Sequence, residues 1–326
     1  MTTDHQIGVL GAGAFGTALA MTQAAQGRHV TLWGRDPEKI NAMQAARANL
    51  RHLPGTEFPP SLEVTSEIAK AAKPGALLLL SVPTQSLRAL LVEHRAALRD
   101  CILVLCCKGV ERGTGLLPSQ VVASELPQAR VAVLSGPSFA SDIAVGKPTA
   151  LTLATQDPEG ADWQEVLSTP VLRLYLSDDP VGAQLGGALK NVIAIAAGIA
   201  IGAGLGESAR AALMTRGFAE MIRYAATRGA GQDTLFGLSG FGDLVLTCSS
   251  MTSRNYSHGF ALGAGTAPSG NTTVEGVMTA HAVSEAAEGI DLPITHTVSA
   301  LLKGQIGIEE ASAKLLSRPP KREGFR

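Results

Sequence analysis

Apolar residues in the first half of the chain fall in short, nearly continuous runs. Such runs are typical of strands that are buried on both faces of a parallel sheet. From Asp178 onward the pattern is helical and strand signals fade. The sequence therefore predicts an α/β domain over residues 1–177, an all-α domain over 178–317 and a flexible, basic tail over 318–326. The predicted strands are Gln6–Leu10, His29–Trp33, Ala76–Val82, Cys101–Cys107, Val131–Ser135, Thr149–Thr155 and Val171–Leu176.

The longest apolar stretch predicts a helix that starts near residue 179. Asp179 is a good N-cap, and Pro180 suits the first helical position, where no N–H is needed. The residues that follow are apolar or small on every face, as in a helix buried within a protein. A membrane span is the competing interpretation, but the uncharged run from Val192 to Leu205 is shorter than the ~20 apolar residues that a bilayer requires. The pattern favours a core helix.

Lys190 is the unusual residue of this helix. Glycine and alanine surround it, and burying an unpaired ammonium group is costly. Such a site either lowers the pKa of the lysine or supplies an anion. One interpretation is a catalytic amine at the bottom of a cleft. The alternative is a lysine at the helix edge that reaches solvent.

Composition narrows the classes of function. The chain has 326 residues, enough for about two domains, and 45% of them are hydrophobic. A formal net charge of −1 argues against general affinity for nucleic acid or anionic membranes. The four cysteines suggest neither a disulfide framework nor a metal site. No signal peptide is apparent, and the expected location is the cytoplasm.

A glycine motif follows the first predicted strand. Gly11, Gly13 and Gly16 have the G-x-G-x-x-G spacing and lead into an alanine-rich helix. Strand, glycine turn and helix come in the order of a dinucleotide-binding unit. Gly11 would allow the tight turn, Gly13 the approach of a pyrophosphate, and Gly16 the close packing of the helix. The alternative is a glycine turn that serves packing alone.

The end of the second predicted strand bears on the choice of cofactor. An acidic residue there would hold the ribose hydroxyls of NAD, whereas an arginine can accept a 2′-phosphate. This chain has Arg35, followed by Asp36 and Pro37, which are typical of a helix cap. We therefore expect NADPH and/or NADH to bind, with NADPH favoured.

Other polar residues stand out in apolar or glycine-rich surroundings. Lys108 follows a strand whose carboxyl end should face ligands, although a surface lysine in a turn is an equal alternative. The loop that contains Gly136 and Ser138 offers backbone amides and one hydroxyl at the same edge. Asp243 lies in an apolar, glycine-flanked segment. Ser253-Arg254-Asn255 could clamp a phosphate or carboxylate, or could simply start a solvated helix.

These motifs together resemble the bacterial NAD(P)-dependent glycerol-3-phosphate dehydrogenases over essentially the whole chain. The most specific blocks are Leu189-Lys-Asn191, Gly242-Asp-Leu244 and Ser253-Arg-Asn255, beside Asn49–Gly55 and Ser135–Ala140. The resemblance implies a Rossmann-type domain followed by an all-α domain, an architecture like that of 6-phosphogluconate dehydrogenase. It implies reversible reduction of dihydroxyacetone phosphate to sn-glycerol 3-phosphate, which supplies phospholipid synthesis, and an enzyme that is often a homodimer.

The same resemblance assigns roles to individual residues. Lys190 is expected to be the acid/base, and Asp243 and Asn191 are expected to orient the lysine and the substrate hydroxyls. Substrate-binding positions are Lys108, Gly136, Ser138, Lys190, Asp243, Ser253, Arg254 and Asn255. Cofactor-binding positions are Gly11, Gly13, Ala14, Phe15, Gly16, Arg35, Lys108, Ala140, Arg254, Thr273 and Glu275. No metal site, nucleic-acid partner or stable membrane insertion is expected.

Two other functions remain open from the residues. A 3-hydroxyacid or ketopantoate-type reductase would share the architecture and the lysine, and its carboxylate substrate would also need an arginine. A non-catalytic NAD(P) sensor could keep the glycine loop, but it would not need an isolated lysine in a buried helix.

Overall fold

A computed structural model describes residues 5–267, 274–287 and 289–316, and these form two compact units. Among the described residues, the first unit comprises 5–107 and 118–180, and the second comprises 108–117 and those from 181 to 316. The first unit ends three residues beyond the predicted boundary at residue 177. The segment 108–117, which the sequence analysis placed in the first domain, groups with the second unit. The predicted tail, 318–326, lies outside the described residues.

The first unit is built on a sheet that has eight strands within the described residues, in the order β3-β2-β1-β4-β5-β6-β7-β8. The strands run parallel except for β6 and β7, which pair antiparallel. Their bounds are β1 Ile7–Leu10, β2 Val30–Trp33, β3 Leu62–Thr65, β4 Leu77–Leu80, β5 Ile102–Leu105, β6 Arg130–Ser135, β7 Thr149–Ala154 and β8 Leu172–Ser177. The predicted Rossmann-type α/β fold is confirmed.

The sequence analysis missed β3. This strand has four residues, one of which is Glu63, so its apolar run is too short and too interrupted to stand out. It pairs with β2 at the edge of the sheet, where one side of a strand needs no neighbour and a charge is tolerated.

Helices of the first unit connect the strands. Their bounds are α1 Ala14–Ala24, α2 Pro37–Ala46, α3 Ile68–Ala71, α4 Thr84–Glu93, α5 Arg95–Leu98, α6 Pro118–Glu125, α7 Ala140–Ala144 and α8 Gly160–Leu167. The predicted cap at Asp36 is present, because its carboxylate accepts a hydrogen bond from the Lys39 N–H at 3.3 Å. Pro37 occupies the first turn of α2.

The second unit is helical, as predicted. Its helices are α9 Pro180–Gly202, α10 Gly206–Thr227, α11 Gln232–Phe236, α12 Asp243–Cys248, α13 Arg254–Gly263, α14 Glu275–Ala286, α15 Pro293–Leu302 and α16 Ile308–Leu316. A single π-helical turn, Leu238–Gly242, leads directly into α12.

The helix α9 forms the centre of the second unit. It is long and apolar enough to pass a length-and-hydropathy test for membrane spans, but 89% of its most apolar window is buried within the protein. Its side chains belong to the core cluster that also contains Phe218, Tyr224 and Val298. The interpretation as a core helix agrees with this burial.

Glycines allow α9 and α13 to approach within backbone contact. A Cβ atom added to Gly198 would lie 2.1 Å from the Tyr256 carbonyl oxygen, and one added to Gly259 would lie 2.1 Å from the Ile195 oxygen. Gly202 and Gly263 repeat the arrangement one turn further along. This contact fixes the start of α13 beside the middle of α9.

Candidate active site

The glycine motif of the first unit forms a tight cradle next to a cavity of about 630 Å³. Gly11 has φ +116°, and a Cβ on Gly16 would lie 2.0 Å from the Gly11 oxygen, so both positions require glycine. An added Cβ on Gly13 would meet nothing within 4 Å. Gly11 and Gly13 line the cavity, as does Arg35. Ala14 and Phe15 begin α1 and pack partly against the sheet core.

This cradle fits a dinucleotide. The N-terminus of α1 has no side-chain cap at Gly13, which leaves backbone N–H groups and the positive end of the helix dipole to receive a pyrophosphate. Most of the cavity wall is apolar and includes Ile40 and Met43 from α2 and Leu90 from α4, a surface suited to an adenosine.

Three other predicted residues of the first unit lie at the carboxyl end of β6. Gly136 has φ +142°, a conformation that favours glycine. The Ser138 hydroxyl donates to the Gly136 oxygen at 3.3 Å. Ala140 begins α7 and packs partly against the sheet core. The three residues do not line the cavity that contains Gly11 and Arg35.

In the second unit, two lysines share one buried carboxylate. Lys190 Nζ donates to Asp243 Oδ1 at 2.6 Å, and Lys108 Nζ donates to Asp243 Oδ2 at 2.7 Å. Asp243 is 1% exposed, and Lys190 is 6% exposed. Lys190 also donates to the Thr247 hydroxyl at 2.7 Å. Lys190 therefore lies in the core with fixed partners, rather than at a helix edge.

Burial and the nearby Lys108 lower the pKa of Lys190 while Asp243 raises it, and the net result is a pKa of about 8. An amine with a pKa near 8 can serve as a proton donor or acceptor close to neutral pH.

The hydrogen bonds of Asn191 join it to Gly187 and Asn255. Its Nδ2 donates to the Gly187 oxygen at 3.3 Å, and its Oδ1 accepts from Asn255 Nδ2 at 2.9 Å. Asn255 Oδ1 in turn accepts from the Gly276 N–H at 2.9 Å. This chain of hydrogen bonds joins α9, α13 and α14, so both asparagines hold these helices together.

Arg254 and Glu275 complete the polar cluster of the second unit. Arg254 is the first residue of α13, and its side chain is exposed. Ser253 is the N-cap of this helix, and its hydroxyl oxygen accepts a hydrogen bond from the Tyr256 N–H at 3.2 Å. Burial raises the pKa of Glu275, while Arg254, Lys108 and Lys190 lower it. Among the described residues, this polar cluster therefore contains three cations, Arg254, Lys108 and Lys190, and two carboxylates, Asp243 and Glu275.

Thr247 was not singled out from the sequence, and Asn49 was named only as part of the block Asn49–Gly55, without a role of its own. Thr247 lies four residues after Asp243 on α12, and this spacing puts both side chains on one helix face. Asn49 Nδ2 donates to the Ala12 oxygen at 3.1 Å and to Thr17 Oγ1 at 2.8 Å, which attaches its turn to the glycine loop. Thr273, a predicted cofactor contact, lies outside the described residues.

Comparison with known proteins agrees with this geometry. Residues 6–161 match the model of the N-terminal part of NAD-dependent glycerol-3-phosphate dehydrogenase, and residues 179–313 match the model of its C-terminal part. The chain is 53% identical over 320 residues to the glycerol-3-phosphate dehydrogenase of Roseobacter denitrificans, which is of the NAD(P)+ type, covering 97% of this chain and 99% of the relative. A homologue from Ruegeria sp. is 52% identical over the same shares.

A solved structure gives the same result. The crystal structure of glycerol-3-phosphate dehydrogenase from Coxiella burnetii superposes with a TM-score of 0.92 at 36% identity, covering 96% of this chain and 99% of that one. The sequence-based assignments of family, fold and NAD(P)-dependent oxidoreductase class are confirmed. The chain therefore belongs to the NAD-dependent glycerol-3-phosphate dehydrogenase family.

Proposed function

We propose that this chain catalyses the reversible reduction of dihydroxyacetone phosphate to sn-glycerol 3-phosphate with NADPH and/or NADH, with Lys190 as the proton donor and acceptor. The observation that carries the mechanism is the buried Lys108–Asp243–Lys190 arrangement, in which the pKa of Lys190 is lowered to about 8. The nicotinamide supplies or accepts the hydride when bound. As an ammonium group, Lys190 protonates the developing alkoxide, and as a neutral amine it accepts the hydroxyl proton in the reverse direction.

Asp243 and Thr247 set the direction of the Lys190 amine. Their oxygens accept from Nζ at 2.6 and 2.7 Å, which leaves a third N–H for the substrate oxygen. Thr247 also donates to Asp243 Oδ1 at 3.2 Å. An amine held by two acceptors has few alternative orientations, which favours proton transfer along one direction.

Binding of the phosphate group is the proposed role of the cations. Arg254 offers a planar fork of donors to the phosphate dianion, and Lys108 adds a second charge. Ser253 and Asn255 contribute through their remaining donors, since Ser253 already accepts one hydrogen bond and Asn255 already has two partners within the protein. Gly136 and Ser138 are proposed as further substrate contacts, and Asn191 supports the site through Asn255.

The proposed cofactor site uses the glycine cradle and its cavity. Gly11, Gly13 and Gly16 shape the cradle, and Arg35 lies at the cavity wall. Further proposed contacts, carried over from the resemblance, are Ala14, Phe15, Lys108, Ala140, Arg254, Thr273 and Glu275. NADPH is the favoured cofactor because Arg35 follows β2 where an acidic residue would favour NAD.

We further propose a cytoplasmic enzyme that supplies glycerophospholipid synthesis and that associates into a homodimer through its helical domain. No nucleic acid or membrane insertion is involved in this proposal. Light scattering of the purified chain during gel filtration measures the oligomeric state, and a monomer at micromolar concentration would contradict the dimer.

The decisive test is a spectrophotometric assay with dihydroxyacetone phosphate, following the absorbance of NADPH and NADH in parallel. Turnover with either cofactor supports the proposed reaction, and the ratio of the two rates tests the preference for NADPH. Cofactor binding without turnover would favour a sensor. Turnover only with 2-oxoacids or ketopantoate in a substrate panel would favour the reductase alternative.

The pH dependence should report the lowered pKa of Lys190. Reduction needs the ammonium form, so kcat/KM for dihydroxyacetone phosphate should be level below pH 8 and fall about tenfold per pH unit above it. Oxidation of glycerol 3-phosphate needs the amine, so its kcat/KM should rise up to about pH 8 and then level off. Initial rates measured between pH 6.5 and 10 give kcat/KM for reduction and for oxidation, and so check both pH profiles. A reduction rate that stays level to pH 10 would contradict the assignment.

Arg254→Gln should mainly weaken substrate binding. Losing charge-assisted hydrogen bonds to phosphate should raise KM for dihydroxyacetone phosphate about 10- to 100-fold. Arg254 is exposed, so the variant should fold normally. Glyceraldehyde and dihydroxyacetone, which lack the phosphate, serve as control substrates, and at saturating cofactor their low rates should not change. An equal loss on these substrates would show that Arg254 does not act on the phosphate.

A further inference from the structure

Among the described residues, two arginines and one lysine line the cavity of the first unit, and the two arginines are not engaged by the protein. The three are Arg35, Lys39 and Arg51. Lys39 forms an ion pair with Asp36. Arg35 and Arg51 are exposed, and neither side chain forms an ion pair or hydrogen bond within the described part of the chain. The cavity therefore has two guanidinium groups available to an anion.

The turn that contains Arg51 is attached to the glycine cradle. The Leu53 N–H donates to the Asn49 oxygen at 2.8 Å, which closes the turn. Asn49 then donates from its side chain to the Ala12 oxygen at 3.1 Å, inside the glycine motif. These bonds hold the backbone of the turn at Arg51 beside the loop that would receive the pyrophosphate, and the Arg51 side chain lines the cavity.

No carboxylate is available at the end of β2 to compete for these cations. The Asp36 carboxylate forms an ion pair with the Lys39 side chain and accepts a hydrogen bond from the Lys39 N–H in the first turn of α2, and these contacts lower its pKa. Gly34, directly after β2, cannot take a side chain without movement of its neighbours, since a Cβ there would lie 2.5 Å from Ile40 Cδ1 and 3.0 Å from Ala12 Cβ. The nearest of these atoms ends a flexible side chain, but position 34 is glycine in this chain, so no ribose-binding carboxylate stands there.

We propose that Arg51 is a specificity-determining residue that binds the 2′-phosphate of NADPH together with Arg35. Two guanidinium groups can surround a phosphate dianion with donors in fixed forks, and both chains reach one cavity from different elements. Arg35 follows β2, and Arg51 comes from the turn after α2. The inference rests on the proposed cofactor site, and extends it from one arginine to a pair.

Calorimetric titration of the full-length protein with adenosine 2′,5′-bisphosphate and with 5′-AMP tests this pairing without turnover. Arg51→Gln should weaken binding of the bisphosphate about 10- to 100-fold, as expected for lost hydrogen bonds to a charged group, and should leave 5′-AMP within about twofold. Arg173→Gln is the matched control. Arg173 is an exposed arginine on β8 outside the cavity, and its loss should change neither affinity.

The double variant Arg35→Gln/Arg51→Gln distinguishes one shared phosphate from two separate ones. Side chains that bind the same group act non-additively, so the double variant should lose much less than the product of the two single losses. An Arg51→Gln variant that binds the bisphosphate normally would overturn the proposal. So would equal weakening of both ligands, because Arg51 would then contact the 5′-phosphate or the adenosine.

Kinetics separate failure of this inference from failure of the proposed function. The ratio of kcat/KM for NADPH to that for NADH should fall about 10- to 100-fold in Arg51→Gln, through a change in KM for NADPH alone. If the wild-type protein binds the bisphosphate tightly through Arg51 but does not reduce dihydroxyacetone phosphate, the proposed reaction fails while the role of Arg51 stands.

Discussion

Replacing Lys190 with methionine should lower kcat for dihydroxyacetone phosphate reduction by roughly 10²- to 10⁴-fold, the range that general acid–base catalysis contributes. Methionine is unbranched and apolar, so it can fill much of the lysine's volume within the core. It cannot donate a proton to the alkoxide. KM for the substrate should change far less than kcat, because Arg254 and Lys108 remain to bind the phosphate. Stopped-flow single turnovers with saturating cofactor measure the chemical step directly.

The fold should survive this replacement. Removing one partner of a buried ion pair is usually destabilising because the other charge is left uncompensated. Here Asp243 keeps Lys108 at 2.7 Å. The pKa of Lys190 is about 8 in the folded state and 10.5 in the unfolded chain, so the unfolded chain binds the proton more tightly. The contribution of Lys190 to the wild-type free energy of unfolding should therefore rise between pH 8 and 10.5. Lys190→Met should lose that rise. Turnover near the wild-type rate in a folded Lys190→Met variant would remove the lysine from the mechanism.

The sequence predicted those features that depend on local order along the chain. The glycine motif could be recognised because strand, turn and helix follow one another within residues 6–26. Lys190 could be recognised because a charge in an apolar helix is unusual whatever surrounds it. Its partners depend on the tertiary fold, and Asp243 and Thr247 come from a helix more than fifty positions away. Periodicity carries no information about such contacts.

The contacts of Asn191 also depend on the tertiary fold. In the sequence Asn191 stands next to Lys190, and it is expected to orient the lysine and the substrate hydroxyls. Neighbouring residues on a helix point in directions about 100° apart, and the structure directs Asn191 toward Asn255 instead. The short strand β3 was missed for a related reason, since its place in the sheet is decided by pairing with β2 rather than by its own composition.

The close approach of α9 and α13 leads to the second large expected effect. Gly198→Ala should lower the free energy of unfolding by about 3 kcal/mol, at the upper end of the usual range for overpacking a core. The new Cβ would lie 2.1 Å from the Tyr256 oxygen and 2.7 Å from the Phe260 N. Both are backbone atoms, which cannot rotate away, so the helices must separate. Alanine would otherwise favour a helix by up to about 1 kcal/mol over glycine, and the clash has to exceed that gain.

Urea unfolding of Gly198→Ala beside Gly307→Ala checks this expectation. A Cβ on Gly307 meets nothing within 4 Å, so that variant should stay within about 0.5 kcal/mol of the wild type, as surface changes usually do.

Separation of the two helices would also move Arg254 and Asn255 relative to Lys190 and Asn191. The folded fraction of Gly198→Ala should therefore show a raised KM for dihydroxyacetone phosphate and a lowered kcat, since a displacement near 1 Å can cost about 10²-fold in rate. If Gly198→Ala unfolds at the wild-type urea concentration, the glycine contact does not set the helix spacing. If it is destabilised but keeps wild-type kinetics, the contact stabilises the fold without positioning the site.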